Sequence, residues 1–408
     1  MILMQQNFDD ITVLYPQAFK LEDIKEKKAM QPFNDKAIGF LNALSKELNR
    51  DQRTRLFPDV ATFAFFCRKA NILNFEKKYS FSGDGIRLGH GIVFHIAPSN
   101  VPVNFAYSLL CGILAGNINI VRVSSKDFEQ VTIIRDAILK LKETGEHNEV
   151  ADRIVLVKYD RQSAATSTLS SICDVRVIWG GDETISQIRK SSLPARSFDV
   201  CFADRYSLCT IHAAAYLKNA NPEAIALDFY NDTYLFDQNA CTAPHLVVWL
   251  GEGEDIRKAK DLFWTNLYSV VRKKYDNIQA VVAVDKLTAL YKQAIALPDI
   301  TKEISEDNLL WRVHLSRLPE NIDEFRCTSG YFAEYNASTL DELVEIINNK
   351  YQTLSYYGFS ESELKDFFLR NTPTGIDRIV PVGHTMDFSL IWDGYNLIKT
   401  LSRCCEII

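Results

Sequence analysis

Between positions 91 and 207 two patterns alternate along the chain. Short, mostly apolar runs at 92–97, 118–123, 154–157, 175–179 and 199–203 read as buried strands. The stretches between them, 105–115, 131–143, 163–172 and 183–190, carry apolar residues every third or fourth position and read as helices. Strand and helix in alternation build a parallel sheet covered by helices, the doubly wound α/β class. Up to residue 80 the spacing is almost wholly helical, clearest at 37–48 and 60–72. From 208 a second alternation begins, with strands at 208–212, 246–250, 310–315 and 330–335. Its helices fall at 223–229, 255–274, 287–296 and 340–348, the last with Ser338 placed to cap it. A final strand-like run at 379–382 is expected to rejoin the body of the fold.

The 408 residues are enough for two substantial cores. A formal charge of −6 argues against a nucleic-acid binder, which would show a basic stripe. No run of eighteen apolar residues predicts a membrane span, and the polar first ten residues do not read as a secretory signal. The nine cysteines are odd in number, scattered and mostly in apolar surroundings, as expected of reduced thiols in a cytoplasmic protein. No His/Cys spacing suggests a metal site. Gly83, Gly85 and Gly89 imitate a dinucleotide fingerprint, but the spacing is one residue too long and a strand follows where a helix should; the stretch reads as a turn.

Two segments carry candidate chemistry. Cys241 lies in a polar, turn-rich stretch, Phe236 to Pro244, just ahead of a buried-type strand, where a thiol can be partly exposed and become a thiolate. Gln238 stands three residues before it and His245 four after, with Pro244 intervening. The second segment is Pro98-Ser99-Asn100-Val101-Pro102, an elbow between strand and helix with Pro102 suited to the helix's first turn. An amide at Asn100 can stabilise a developing oxyanion or can simply cap the helix.

These segments together resemble the aldehyde dehydrogenase superfamily, and within it the acyl-CoA reductase (LuxC-like) branch, which includes the fatty-acid reductases of bacterial luminescence. The resemblance continues through Gly116-Asn117, Arg122, the run Ala64 to Asn71, Gly375 to Gly383, and Trp392-Asp393-Gly394-Tyr395. It implies an aldehyde-dehydrogenase-like fold: a helical segment at 1–88, a parallel, doubly wound dinucleotide-binding domain at 89–207, a second α/β catalytic domain at 208–378, and a returning segment at 379–408. It also implies covalent catalysis by Cys241 with Asn100 as oxyanion donor, on an acyl thioester of CoA or of a protein. An acyl-supplying partner protein and a homo-oligomer belong to the same expectation.

The implied cofactor residues are those just past the strand ends: Ala97, Pro98 and Ser99; Arg122, Ser124, Ser125 and Lys126; Gly180 and Gly181. Two serines flanked by Arg122 and Lys126, where NAD-specific enzymes favour a carboxylate, favour NADPH over NADH, although Arg122 can equally pack structurally and Lys126 solvate a loop. Gly180-Gly181 allows close approach of backbone to an anion, while Asp182 can cap the helix that follows. Aldehyde-oxidising members carry a water-activating glutamate where this chain has Phe202, with Asp204 two residues away. That departure favours reduction of an activated acyl group to an aldehyde. A CoA-acylating aldehyde dehydrogenase and a non-redox acyl relay are the alternatives.

Overall fold

The computed structural model describes residues 10–18, 20–80, 85–98, 101–275, 279–297 and 299–407. The chain forms two compact units, Met1–Ala203 with Phe388–Ile408, and Asp204–Asp387.

The first unit is built on strands β1 (Thr12–Tyr15), β2 (Ile86–Gly89), β3 (Ile92–Ile96), β4 (Ile118–Arg122), β5 (Ile154–Lys158), β6 (Val175–Trp179) and β7 (Phe198–Phe202). Six of them form one sheet in the order β1-β5-β4-β3-β6-β7. Every pair is parallel except β1, which runs antiparallel to β5. Buried on both faces, β3 and β6 are apolar or locally satisfied at all five positions. The helix Asn104–Leu114 buries nine of its eleven residues against this sheet, which is why its sequence is apolar all round. One polar chain crosses that core. Trp179 Nε1 donates to Ser108 Oγ (3.1 Å), Ser108 pairs with His95 Nδ1 (2.7 Å), and His95 Nε2 meets Asn119 Oδ1 (3.1 Å). Because Asn119 Oδ1 can only accept, the proton of His95 sits on Nε2; burial lowers its pKa to about 4, so the ring is neutral.

The second unit holds β8 (Tyr206–His212), β9 (Pro244–Leu250), β10 (Thr301–Ile304), β11 (Trp311–His314), β12 (Tyr331–Ala337), β13 (Tyr351–Tyr357) and β14 (Arg378–Pro381). They form one sheet in the order β10-β11-β12-β9-β8-β13-β14, parallel throughout except for the β10–β11 edge. The helices Pro222–Thr233 and Gly253–Lys274 help cover it, with Trp249 and Trp264 both donating to buried Glu334 (3.0 Å each). After Asp387 the chain returns to the first unit with β15 (Ile391–Trp392), β16 (Tyr395–Asn396) and β17 (Ser402–Cys405).

Several elements depart from the pattern-based expectation. The helical run at 60–72 is two helices, Pro58–Phe66 and Lys69–Tyr79, broken at Cys67 and Arg68. The stretch ending at Gly89 is not all turn: β2 pairs antiparallel with β17, more than 300 residues later in sequence. Pro102 lies in a turn, and the helix it was expected to open starts at Asn104. The run at 340–348 is a 3-10 helix, Leu340–Glu345, capped by Thr339 in a reciprocal box with Glu342, not by Ser338. The run at 379–382 forms β14, at the edge of the second sheet.

Candidate functional site

In the first unit the chain order of the strands fixes where a ligand can lie. From β3 the chain steps outward through β4 to β5, then crosses back to lay β6 on the other side of β3. The crevice at the carboxyl ends of β3 and β6 is therefore the topological switch point. Three groups of predicted residues follow these strand ends. Ala97 and Pro98 follow β3, with the Ala97 N–H donating to the Arg122 carbonyl (3.1 Å). Ser99 and Asn100 lie outside the described residues.

Arg122 ends β4, half-buried. Its guanidinium lies 4.8 Å from the centre of the Tyr159 ring and donates to the Tyr159 carbonyl (3.2 Å). Burial lowers its pKa from the usual arginine value, and its Nε finds no hydrogen-bond partner among the described residues. Ser124 is buried and its Oγ accepts from the Lys126 N–H (3.1 Å), closing a tight loop that leaves Ser125 and Lys126 exposed.

Gly180 and Gly181 follow β6. A Cβ on Gly180 would stand 3.1 Å from Thr184 Cγ2, whereas Gly181 faces open space. Gly181 is the N-cap of the helix Asp182–Arg189 and supplies no side-chain cap; Asp182 stands in the first turn rather than at the cap. An uncapped helix start and an open glycine after β6, with an orphaned guanidinium N–H at the end of β4 on the other side of β3, fit the phosphates and ribose of a dinucleotide.

Phe202 closes the same edge. It is buried and stacks on Trp179 (ring centroids 3.8 Å apart, 19° between planes), with Trp392 and Tyr395 edge-on. The residue expected to replace the glutamate of aldehyde-oxidising members is thus part of an aromatic stack. Both C-terminal members of that stack belong to the Trp-Asp-Gly-Tyr stretch flagged in the sequence, whose role the pattern alone did not reveal.

In the second unit Cys241 lies on the loop that enters β9. Asp237 and Gln238 both adopt left-handed backbone (φ 51° and 58°), a conformation that non-glycine residues hold only when neighbours enforce it. The enforcement is visible. The buried Gln238 amide donates to the carbonyls of Pro244 (2.9 Å) and Tyr331 (3.0 Å) and accepts from the N–H groups of Gly330 (2.9 Å) and Tyr331 (3.1 Å). One side chain therefore staples the loop to the starts of β9 and β12. Asp237 adds two ties, accepting at its carbonyl from Ser329 N–H (2.9 Å) and at its carboxylate from Tyr275 OH (2.5 Å). The Cys241 carbonyl accepts from Ser207 Oγ at the start of β8 (2.6 Å). Ser207 and Tyr275 carry no sequence signal, being recruited from 34 residues before Cys241 and 38 residues after Asp237.

Cys241 is half-buried. By contrast Cys67, Cys111, Cys173 and Cys209 are fully buried, and burial pushes their thiols well above the ordinary range, the last three to about 12. Such thiols are inert. His245 is not placed as a proton donor: it is buried, stacked on Tyr206, and its Nδ1 donates to the Cys327 carbonyl (3.1 Å). Burial first, and then the Arg326 charge, lower its pKa to about 3, so it is neutral at physiological pH. Asp204 is exposed but paired with Arg326, which also donates to the Arg205 carbonyl (2.6 Å). Among the described residues no group of three His, Cys, Asp or Glu side chains could hold a metal, and no helix is long and apolar enough to cross a membrane.

Residues 21–404 match the family described as Acyl-CoA reductase (LuxC). A long-chain acyl-protein thioester reductase of Vibrio harveyi is 28% identical over 300 residues, 72% of this chain. The chain spans 58% of the length of that relative. Among solved structures, aldehyde dehydrogenase 21 of Physcomitrella patens, in complex with succinate, superposes with a TM-score of 0.63 at 11% identity, covering 91% of this chain and 85% of that one. Glyceraldehyde-3-phosphate dehydrogenase GapN of Methanocaldococcus jannaschii, complexed with NADP, gives 0.59 at 12% identity over 91% and 88%. At these identities the likeness is one of fold, and the fold is that of the aldehyde dehydrogenases.

Proposed function

Because the chain belongs to the acyl-CoA reductase (LuxC) family, we propose that it reduces an acyl thioester, of CoA or of a protein, to an aldehyde through an acyl-enzyme on Cys241. The observation that carries this reading is the over-determined loop around a half-buried thiol, which sets Cys241 apart from Cys67, Cys111, Cys173 and Cys209, the four that burial has silenced. The Cys241 thiolate attacks the thioester carbonyl, the carbonyl electrons move onto oxygen, and collapse expels the donor thiol as thiolate, leaving acyl-Cys241. Asn100, carried over from the resemblance, and the Cys241 N–H are the proposed oxyanion donors. Ser207 fixes the Cys241 carbonyl, and with it the Cys241–Thr242 peptide on the carboxyl side of the thiol residue. When bound at the residues named below, a nicotinamide cofactor, proposed as NADPH, would supply the hydride that brings the acyl carbonyl to the aldehyde level. Collapse of the resulting Cys241 thiohemiacetal releases aldehyde and returns the thiol. The residues proposed to hold the cofactor are Ala97, Pro98, Ser99, Arg122, Ser124, Ser125, Lys126, Gly180 and Gly181.

Phe202, which by the resemblance stands where aldehyde-oxidising members carry the water-activating glutamate, supports reduction over hydrolysis, since a ring packed in an aromatic stack cannot act as a base. The test is incubation with a panel of acyl-CoA thioesters, with and without NADPH, following nicotinamide absorbance, aldehyde and protein mass. An acyl adduct without NADPH, lost in Cys241→Ala, and aldehyde with NADPH are expected. An adduct that persists in Cys241→Ala moves the chemistry to another cysteine, and acyl transfer without NADPH consumption turns the reading into a non-redox relay.

A further inference from the structure

The helix Ala280–Ala296 of the second unit is amphipathic the wrong way round. Its inward positions include Lys286 and Gln293, both fully buried, with Leu290 between them. Lys286 Nζ donates to the Asn308 carbonyl (2.7 Å), and Gln293 Oε1 accepts from Tyr331 OH (2.7 Å). Burial lowers the Lys286 pKa to about 8. Its outward face carries Val281 (55% exposed), Val284 (61%), Leu287 (38%), Tyr291 (57%) and Ile295 (88%). Their spacing of three and four residues places them along one stripe. A surface helix whose polar side chains are spent inside while five large apolar ones face water marks an interaction surface.

We propose that this stripe packs antiparallel against the same helix of a second copy of this chain, about a two-fold axis near Thr288. Two features choose that occupant. The stripe reads alike in both directions: with the axis at Thr288, Val281 of one copy meets Ile295 of the other, and Val284 comes beside Tyr291. Asp285 and Lys292 lie two turns apart along the same face, and neither forms an ion pair among the described residues. Antiparallel pairing sets each Asp285 against the other copy's Lys292, whereas parallel pairing would set like charges together. A lipid surface is a poorer match, because Asp285 would enter the bilayer boundary of a protein already carrying −6. The neighbouring edge strand β10 is guarded against pairing by Lys302 and Glu303, so the helix rather than the sheet edge is the contact. A helix of seventeen residues is about 26 Å long. Two such helices bury less than the ~800 Å² per partner of a standard interface, so the dimer is weak and forms in the micromolar range.

Sedimentation velocity on the full chain, from about 1 to 200 μM, tests this. Ile295→Asp and Val284→Asp, at exposed positions that leave the fold intact by circular dichroism, should each raise the dimer dissociation constant about a hundredfold, since each change counts twice at a two-fold interface. Asp285→Lys or Lys292→Asp alone should raise it about tenfold, and the two together should return it to within about threefold of the wild type. A wild type that stays monomeric throughout, a dimer indifferent to Ile295→Asp, or a double charge swap no better than the single reversals overturns the proposal. Binding of the monomer to neutral vesicles through this face would also overturn it, in favour of a lipid surface.

Discussion

At the scale of single residues, Gln238 matters as much as the thiol it precedes. Its amide makes four hydrogen bonds to backbone groups of two segments, the starts of β9 and β12, all in the interior. Gln238→Ala strands those groups at about 1–3 kcal/mol each where water cannot reach them. A net loss of about 3 kcal/mol or more in denaturant unfolding is expected, with a fall in turnover because Asp237 and residue 238 lose the ties that hold φ positive. Unchanged stability would mean that the loop is held by its backbone bonds alone. Asp204 is the carboxylate nearest in sequence to the missing glutamate, but Arg326 holds it. Asp204→Asn should therefore leave the slow release of free acid from acyl-Cys241 unaltered. Rapid acid release that disappears in this variant would identify a water-activating base and move the chain towards the aldehyde oxidisers.

At the scale of elements, the end of the helix Pro222–Thr233 and the turn after β14 are joined by one buried carboxylate. Asp232 accepts from the Gly383 N–H (2.6 Å), the Thr385 N–H (3.0 Å) and Thr385 Oγ1 (2.8 Å). Burial is the largest influence on its pKa and, opposed by those bonds and by His384, still raises it to about 6. A carboxyl group whose pKa is raised on folding contributes stability that is fully present below about 3.8 and lost as pH climbs through about 6. An asparagine cannot titrate. The melting-temperature difference between wild type and Asp232→Asn should therefore shrink as pH rises from about 4 to 7. A difference that stays flat or widens would show that the three hydrogen bonds outweigh burial.

On the scale of the whole molecule, the proposed labour is divided between the two units: the cofactor residues are in the first and the nucleophile is in the second. The effects of mutation should separate in the same way. Arg122→Ala and Lys126→Ala should weaken NADPH more than NADH in direct binding, by roughly tenfold for each lost contact to phosphate, while the acyl adduct on Cys241 still forms. Equal affinity for both cofactors in the wild type, unmoved by either change, would remove the basis for preferring NADPH. Arg122 stacks on Tyr159 as well, so its loss should also lower the melting temperature, whereas exposed Lys126 should not.

Much of the architecture was legible because its signal is local. The strands at 92–96, 118–122 and 175–179 are short apolar runs bounded by helices, and a run buried on both faces cannot be polar. The strand ends after β3, β4 and β6 could be located for a related reason, since a doubly wound sheet places its ligands past the carboxyl ends of its strands, whereas Cys241 was singled out by the polar, turn-rich loop that enters β9. What the sequence could not disclose was pairing at a distance. The edge strand β2 finds its partner β17 only when the C-terminal segment returns, and β1 is ordered by β5 rather than by its own pattern. Ser207 and Tyr275 reach the Cys241 loop, and Arg326 reaches Asp204 and the Arg205 carbonyl, through tertiary contacts, and no periodicity marks them. The inverted helix Ala280–Ala296 shows the same limit from the other side. Its periodicity predicted a helix, but which face turned inward was decided by the Asn308 carbonyl and the Tyr331 hydroxyl, groups that only the folded chain brings to Lys286 and Gln293.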